Sequence, residues 1–309
     1  MSEDRKKVLL IGGSYFVGRV FCIQASMRDD TDVYIVNRGR IKVNRPHITE
    51  LVSSRHDIPR LRDVIPPVKF DAVIDFCAYE PDDIASMIDV LQDRAAHYLY
   101  LSTSNVYDSA VQGIKTEQSL FATQFTDDPV SQYEFKKMLL ETELNHVCTA
   151  RSIPYTIIRP SFIYGPFNYA PRESWFIEKI VKEEPVPKPV NAEAQFSMVF
   201  VVDLAKALNA LVGREAAFNA AFNAAAPEPI NYPIFFEELE RCNNSAFPLR
   251  EVTVEQVLAE NIPLPFPLNV DELCDGSLLA RVSGVPYTPF SEGMGKTFSS
   301  FKNVYAPQP

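Results

Sequence analysis

The sequence predicts an α/β chain: a doubly wound parallel sheet covered by helices on both faces, followed by a smaller C-terminal lobe. Three observations predict it. Short apolar runs recur at Val8–Ile11, Val33–Val36, Phe70–Phe76, His97–Leu101 and Tyr155–Ile158, each too brief for a helix. Segments with helical spacing separate them. The first run leads directly into a glycine-rich turn that opens a helix.

Taken in order, Val8–Ile11 is a buried strand and Gly12-Gly13-Ser14-Tyr15-Phe16-Val17-Gly18 is the turn after it. Val20, Phe21, Ile23 and Met27 then carry helical spacing over Arg19–Met27. Glycines here permit a tight turn and close approach of backbone to a pyrophosphate at the helix N-terminus; a purely structural turn is the competing reading. Val33–Val36 ends in Asn37-Arg38-Gly39-Arg40. A dinucleotide fold usually places an acid about 20 residues after the glycines, on the ribose 2′-OH. Asn37 and Arg38 instead suit a 2′-phosphate and lean towards NADP, although an arginine also stacks on adenine.

Leu51–Ser54 leads to Asp57-Ile58 and a short helix through Leu61 and Val64. Asp57 fits two roles, acceptor for the adenine amino group and helix N-cap. The strand Phe70–Phe76 opens into Cys77-Ala78-Tyr79, and His97–Leu101 into Ser102-Thr103. Ligands bind outside the carboxyl ends of such strands. The glycine turn, Asn37-Arg38, Asp57, Phe76-Cys77-Ala78 and Ser102-Thr103 all fall there. A long polar loop, Asp108–Val130, precedes an uninterrupted helix over Ser131–Arg151. That helix sets Tyr133 and Lys137 one turn apart on one face. A lysine beside a phenol lowers its pKa from about 10, and such a tyrosine can exchange a proton with a substrate hydroxyl. Thr103 would hold the same oxygen from the strand side. The spacing also arises by chance on solvated helices, so its weight comes from the rest of the rim.

Beyond Arg159-Pro160 the alternation weakens and prolines crowd Pro185–Pro189 and Ile262–Pro267. Phe196–Val202 and Phe218–Ala224 read as strands returning to the main sheet, with Asp203–Leu211 a helix between them. The expected division is 1–168 for the cofactor domain with 195–226 rejoining its sheet, and 169–194 plus 227–309 for the smaller lobe.

The composition narrows the function classes. Of 309 residues, 46% are hydrophobic and 23% charged, which suits a large buried core. A net charge of −10 with dispersed lysines and arginines argues against nucleic acid or an anionic membrane as main partner. Five scattered cysteines, with no paired spacing, read as reduced thiols in a cytoplasm. Four histidines lack metal-ligand spacing, so no metal is expected. No signal peptide or spanning segment is read.

The ordered set Gly12-Gly13-x-x-Phe16-x-Gly18, Asp57-Ile58, Ser102-Thr103-x-x-Val106-Tyr107, Tyr133-x-x-x-Lys137, Arg159-Pro160 and Tyr164-Gly165-Pro166 resembles the extended, atypical short-chain dehydrogenases/reductases, the NAD-dependent epimerase/dehydratase group. The resemblance covers about Val8 to Leu211. It implies a Rossmann-type fold and an NAD(P)-dependent oxidoreductase or epimerase acting on a hydroxyl or carbonyl carbon of a sugar-like, even nucleotide-sugar, small molecule. It implies that Tyr133 is the acid/base, Lys137 the ribose ligand, Thr103 the residue holding the reacting hydroxyl, and Pro160 with neighbours such as Ile163 the packing beside the nicotinamide. Pairing as a homodimer through the Tyr133 helix is also implied. Several positions depart from the family pattern. Tyr15 replaces the usual middle glycine and crowds the turn. Ser104-Asn105 replaces the Asp-Glu of dehydratases, which disfavours a 4,6-dehydratase. Phe162 replaces an asparagine, and Gln195-Phe196-Ser197 stands where an arginine is common. Phe162, Trp175, Phe196 and Leu264–Leu268 read either as an apolar pocket or as lobe core. The alternative function is a non-catalytic dinucleotide-binding sensor or scaffold, as in chloroplast stem-loop RNA-binding proteins of this superfamily. Retention of Thr103, Tyr133 and Lys137 together, and the acidic charge, weigh against it.

Overall fold

Alternation along the first strand decides which helices cover which face. In the computed structural model, which describes residues 5–306, β1 (Lys6–Ile11) buries Val8 and Leu10 in one layer and Leu9 and Ile11 in the other. α1 (Phe16–Ala25) belongs to the first layer; α2 (Ile58–Val64), α3 (Asp83–Leu91) and α4 (Pro129–Ala150) belong to the second. The intervening strands β2 (Thr31–Asn37), β3 (Ile48–Val52), β4 (Ala72–Asp75), β5 (Tyr98–Leu101) and β6 (Tyr155–Pro160) continue the pattern. Leu99, for example, faces α1's layer while Tyr98 and Tyr100 face the other.

The C-terminal part follows as β7 (Phe162–Tyr164), α5 (Glu173–Val181), β8 (Val186–Pro189), β9 (Phe196–Phe200), α6 (Val201–Leu211) and β10 (Ala220–Ala224). It ends with β11 (Pro229–Ile230), α7 (Tyr232–Asn243), β12 (Leu249–Val252), α8 (Val254–Ala259), α9 (Ser277–Ser283) and α10 (Phe290–Tyr305). The central sheet has seven strands in the order β10-β6-β5-β4-β1-β2-β3, every pair parallel. The strand order reverses beside β1, which opens a crevice at the carboxyl ends of β1 and β4. This is the Rossmann-type doubly wound fold that the sequence predicts.

One expectation is corrected and one choice between two readings is resolved. Phe196–Val202 does not rejoin the main sheet: β9 pairs with β7 and β11 in a separate three-stranded sheet, and Val201-Val202 begin α6. Of the two readings of Phe162 and Phe196, lobe core is the one observed. Phe196 stacks on Phe266 at 4.8 Å, with the Phe162 ring edge-on to both, at 5.7 and 5.6 Å.

The Tyr133 helix starts two residues before the predicted Ser131. Asp128 caps it, accepting from the Val130 and Ser131 N–H groups at 3.1 and 3.0 Å, with Pro129 in its first turn. The loop before it is tied to the C-terminal lobe. Lys115 N–H donates to the Leu273 carbonyl, and the Lys115 carbonyl accepts from Asp275 N–H, at 2.8 and 2.9 Å.

Candidate active site

The glycine turn is built by steric necessity. Gly12 and Gly13 take φ of +82° and +99°, and a Cβ on Gly18 would lie 2.1 Å from the Gly13 Cα. Ser14 Oγ is buried and has no hydrogen-bond partner among the described residues. A phosphate oxygen at the start of α1 would satisfy it, so the turn fits a dinucleotide pyrophosphate. Tyr15 does not obstruct the turn. Its backbone is extended at φ −119°, and its ring turns out against Tyr169 at 6.1 Å.

A cleft of about 670 Å³ runs from this turn along the strand ends. Gly12 to Gly18, Asn37, Arg38, Phe76, Cys77, Ser102, Thr103, Tyr133, Lys137, Pro160 and Ile163 all line it. Its size is that of an ordinary cofactor or ligand pocket.

Asn37 is held rigidly. Its Oδ1 accepts from Gly39 N–H at 2.7 Å and its Nδ2 donates to Glu50 at 3.0 Å. The acid at this corner is therefore Glu50, supplied by β3, which a search along the β2 end does not find. Arg38 and Arg40 are exposed, line the cleft and make no ion pair among the described residues.

Three predicted cofactor contacts fall outside the lining. Asp57 is exposed and caps α2, accepting from Arg60 N–H at 3.1 Å, while Ile58 is half-buried against the core; Ser53, Ser54, Arg55 and His56 line the cleft instead. Ala78 is fully buried, and its carbonyl accepts from Lys137 Nζ at 3.1 Å. Arg55 escaped the sequence reading: its guanidinium turns inward on Asp75 at 2.9 and 3.1 Å and on Asp83 at 3.2 Å. The nearest clue was an acid at the end of β4.

Lys137 is 2% exposed. Its Nζ donates to the carbonyls of Ala78 and Leu101, both at 3.1 Å, and sits over the rings of Tyr79 and Tyr100 at 4.7 and 4.9 Å. Burial lowers its pKa to about 8. The Tyr133 ring centroid is 5.7 Å from that Nζ. Lys137 does not bring the phenol towards neutrality as expected. Burial, with Tyr169 beside it, pushes Tyr133 up to about 12, and the cation that draws it down is Arg172. Lys137 spends two of its three donors on carbonyls, and both it and Arg172 line the cleft.

Thr103 is 9% exposed; its Oγ1 accepts from Asn105 N–H at 3.3 Å. Asn105 Nδ2 in turn donates to Glu134 at 3.0 Å. Ser102 Oγ donates to Glu141 at 2.6 Å, and Glu141 is doubly bonded by Arg159 in a buried ion pair. Ser102 thus braces the floor of the cleft.

The loop after Gly165 completes the lining with Asn168, Tyr169, Ala170 and Arg172. Glu173, fully buried, anchors it by accepting from Gly165 N–H at 2.9 Å and from Asn168 Nδ2 at 3.0 Å on each oxygen. Burial raises the Glu173 pKa to about 7. The clue to this loop was aromatic and basic residues directly after Tyr164-Gly165-Pro166.

Among the described residues no group of His, Cys, Asp and Glu could hold a metal, and no helix is long and apolar enough to cross a membrane.

Residues 8–225 match the NAD dependent epimerase/dehydratase family. The chain is 26% identical over 246 residues to the chloroplast stem-loop binding protein of 41 kDa b from Arabidopsis thaliana, over 75% of this chain and 61% of that protein. The chain thus spans less than two thirds of that relative's length. An epimerase from Methanothermobacter thermautotrophicus superposes with a TM-score of 0.81 at 17% identity, covering 98% of this chain and 94% of that one. A UDP-glucuronic acid 4-epimerase from Bacillus cereus, in complex with UDP-glucuronic acid and NAD, gives 0.77 at 15%, covering 97% and 100%. At such identities these two likenesses are of fold.

Proposed function

The chain belongs to the NAD dependent epimerase/dehydratase family, and on that premise we propose that it is an NAD(P)-dependent epimerase or reductase. Its substrate is a sugar-like molecule, with reaction at a carbon bearing a hydroxyl or carbonyl. One observation carries the reading: Thr103, Tyr133 and Lys137 line the same cleft as the glycine turn. When bound, NAD(P) would supply hydride exchange at that carbon. The chain's own residues handle the oxygen and its proton. Thr103 orients the oxygen from the end of β5. Tyr133, with its pKa near 12, carries its proton at neutral pH and is ready to donate it to the alkoxide that forms when hydride is delivered to a carbonyl; removal of hydride from a carbinol would need the phenolate, which takes up the hydroxyl proton. Lys137 holds the ribose hydroxyls beside it, as the resemblance implies. Gly12 to Gly18 and Ser14 Oγ hold the pyrophosphate, and Pro160 and Ile163 pack beside the nicotinamide. Arg38 and Arg40, which make no ion pair among the described residues, support NADP over NAD. Residence in a cytoplasm and pairing through α4 belong to the same proposal.

A second reading is supported by the Arabidopsis relative, whose name is that of a stem-loop binding protein: a dinucleotide-binding scaffold without turnover. A net charge of −10 weighs against RNA as its partner.

The test is to purify the protein without added cofactor, denature it and identify the released nucleotide. Stoichiometric NAD supports an epimerase that keeps its cofactor and overturns the reading of Arg38. An empty protein that binds NADP more tightly than NAD supports a reductase. An empty protein that binds neither refutes the enzyme reading.

A further inference from the structure

Arg172 lines the cleft with Asn168 and Tyr169, and its charge is felt at the Tyr133 phenol. Its guanidinium lies over the Phe162 ring, 5.5 Å from the centroid, a stack that fixes its plane and leaves its edge donors free. Among the described residues nothing accepts a hydrogen bond from this side chain and no carboxylate pairs with it. The buried cations nearby are all engaged: Arg55 by Asp75 and Asp83, Lys137 by two carbonyls, Arg159 by Glu141. A half-buried guanidinium with no protein partner presents a free fork of donors to an oxyanion in the cleft.

The cofactor's own anions lie elsewhere. Its pyrophosphate belongs at the glycine turn, and a further phosphate belongs at Arg38 and Arg40. An anion at Arg172, beside the acid/base tyrosine, would therefore be the substrate's. Phe162 and Phe196 are turned into the lobe core and offer it no polar contact.

We propose that Arg172 is the anion-binding residue of the substrate subsite, and that the substrate carries a carboxylate or a phosphate close to the carbon facing Tyr133. The inference rests on the reading of the cleft as an NAD(P)-dependent active site. A planar fork suits either oxyanion, since both accept paired N–H bonds.

The experiment is calorimetry on the full chain with excess NADP, which keeps the probes off the pyrophosphate turn. UDP-glucuronic acid is compared with UDP-glucose, from which it differs by one carboxylate; inorganic phosphate is titrated separately. A paired, charge-assisted contact predicts one of two results. Either UDP-glucuronic acid binds about 10- to 100-fold more tightly than UDP-glucose, a preference that Arg172→Met abolishes and Arg172→Lys keeps in part, or inorganic phosphate binds the parent protein about tenfold more tightly than Arg172→Met. The first identifies a carboxylate, the second a phosphate. Equal behaviour of the parent and Arg172→Met towards all three probes, including no binding by either, overturns the proposal. Titration of the parent protein with NADP and NAD tests the underlying reading separately. A protein that binds cofactor but shows no Arg172-dependent affinity loses this inference alone. For a protein that binds neither cofactor, the same series run without NADP still decides the role of Arg172.

Discussion

Glu173 makes the stability of this protein depend on pH in a direction opposite to that of an ordinary carboxylate. Its pKa is raised from 4.5 to about 7 in the folded chain because it has no exposure to water. The folded state therefore binds a proton that the unfolded state releases between these values. Stability from this group is fully present below the unfolded pKa and is lost as pH rises through the folded one. The two pKa values make the native state roughly 2 to 3 kcal/mol less stable at about pH 8 than at about pH 5, from this residue alone. Glu173→Gln removes the titration. It also loses hydrogen bonds, because the carboxylate accepts from Gly165 N–H and from Asn168 on both oxygens, and an amide has one acceptor. Asn168 cannot easily turn to compensate, since its Oδ1 accepts from Ala170 N–H at 3.0 Å. Below about pH 7 the protonated acid keeps a hydroxyl oxygen that can still accept where an amide nitrogen cannot, so the loss costs about 1 to 2 kcal/mol across the range. The variant is thus expected to be the less stable protein near pH 5 and to match or exceed the parent near pH 8. Urea unfolding of both proteins at several pH values between these measures it. Two curves that run parallel across the range would refute the argument.

Further outcomes follow from the same geometry. Tyr133→Phe should lower turnover by about 100- to 10,000-fold, read as cofactor absorbance once a substrate is in hand. Gly18→Ala would bring a Cβ to 2.1 Å from Gly13 Cα; weaker NAD(P) binding and a lower melting temperature are expected, by titration and thermal unfolding. Replacing Arg38 and Arg40 together by alanine should reduce the NADP-to-NAD affinity ratio by about tenfold or more, measured by titration with each cofactor. Lys137 loses its charge as pH rises through about 8, so a pH profile of turnover should fall on that alkaline side; a profile flat to about pH 10 would exclude a need for the ammonium.

Much of this protein was legible in the sequence because the signals are local. Short buried strands, the glycine turn and the helical spacing of Tyr133 and Lys137 each depend on a few neighbouring residues. Parallel strands with ligands at their carboxyl ends then place Gly12 to Gly18, Asn37, Cys77, Thr103 and Tyr133 on one rim. What tertiary structure alone decided is long-range. Phe196–Phe200 is apolar enough for either sheet, and only the folded chain sets it between β7 and β11. Asp57 had two local roles, and only folding turned it to the helix while Arg55 swung onto Asp75. The Tyr133 phenol was expected to be drawn down by Lys137, one turn away. Its titration is governed instead by burial and by Arg172, 39 positions downstream in the sequence. Spacing along a helix fixes which residues share a face, but desolvation and charge depend on what the rest of the chain packs against that face.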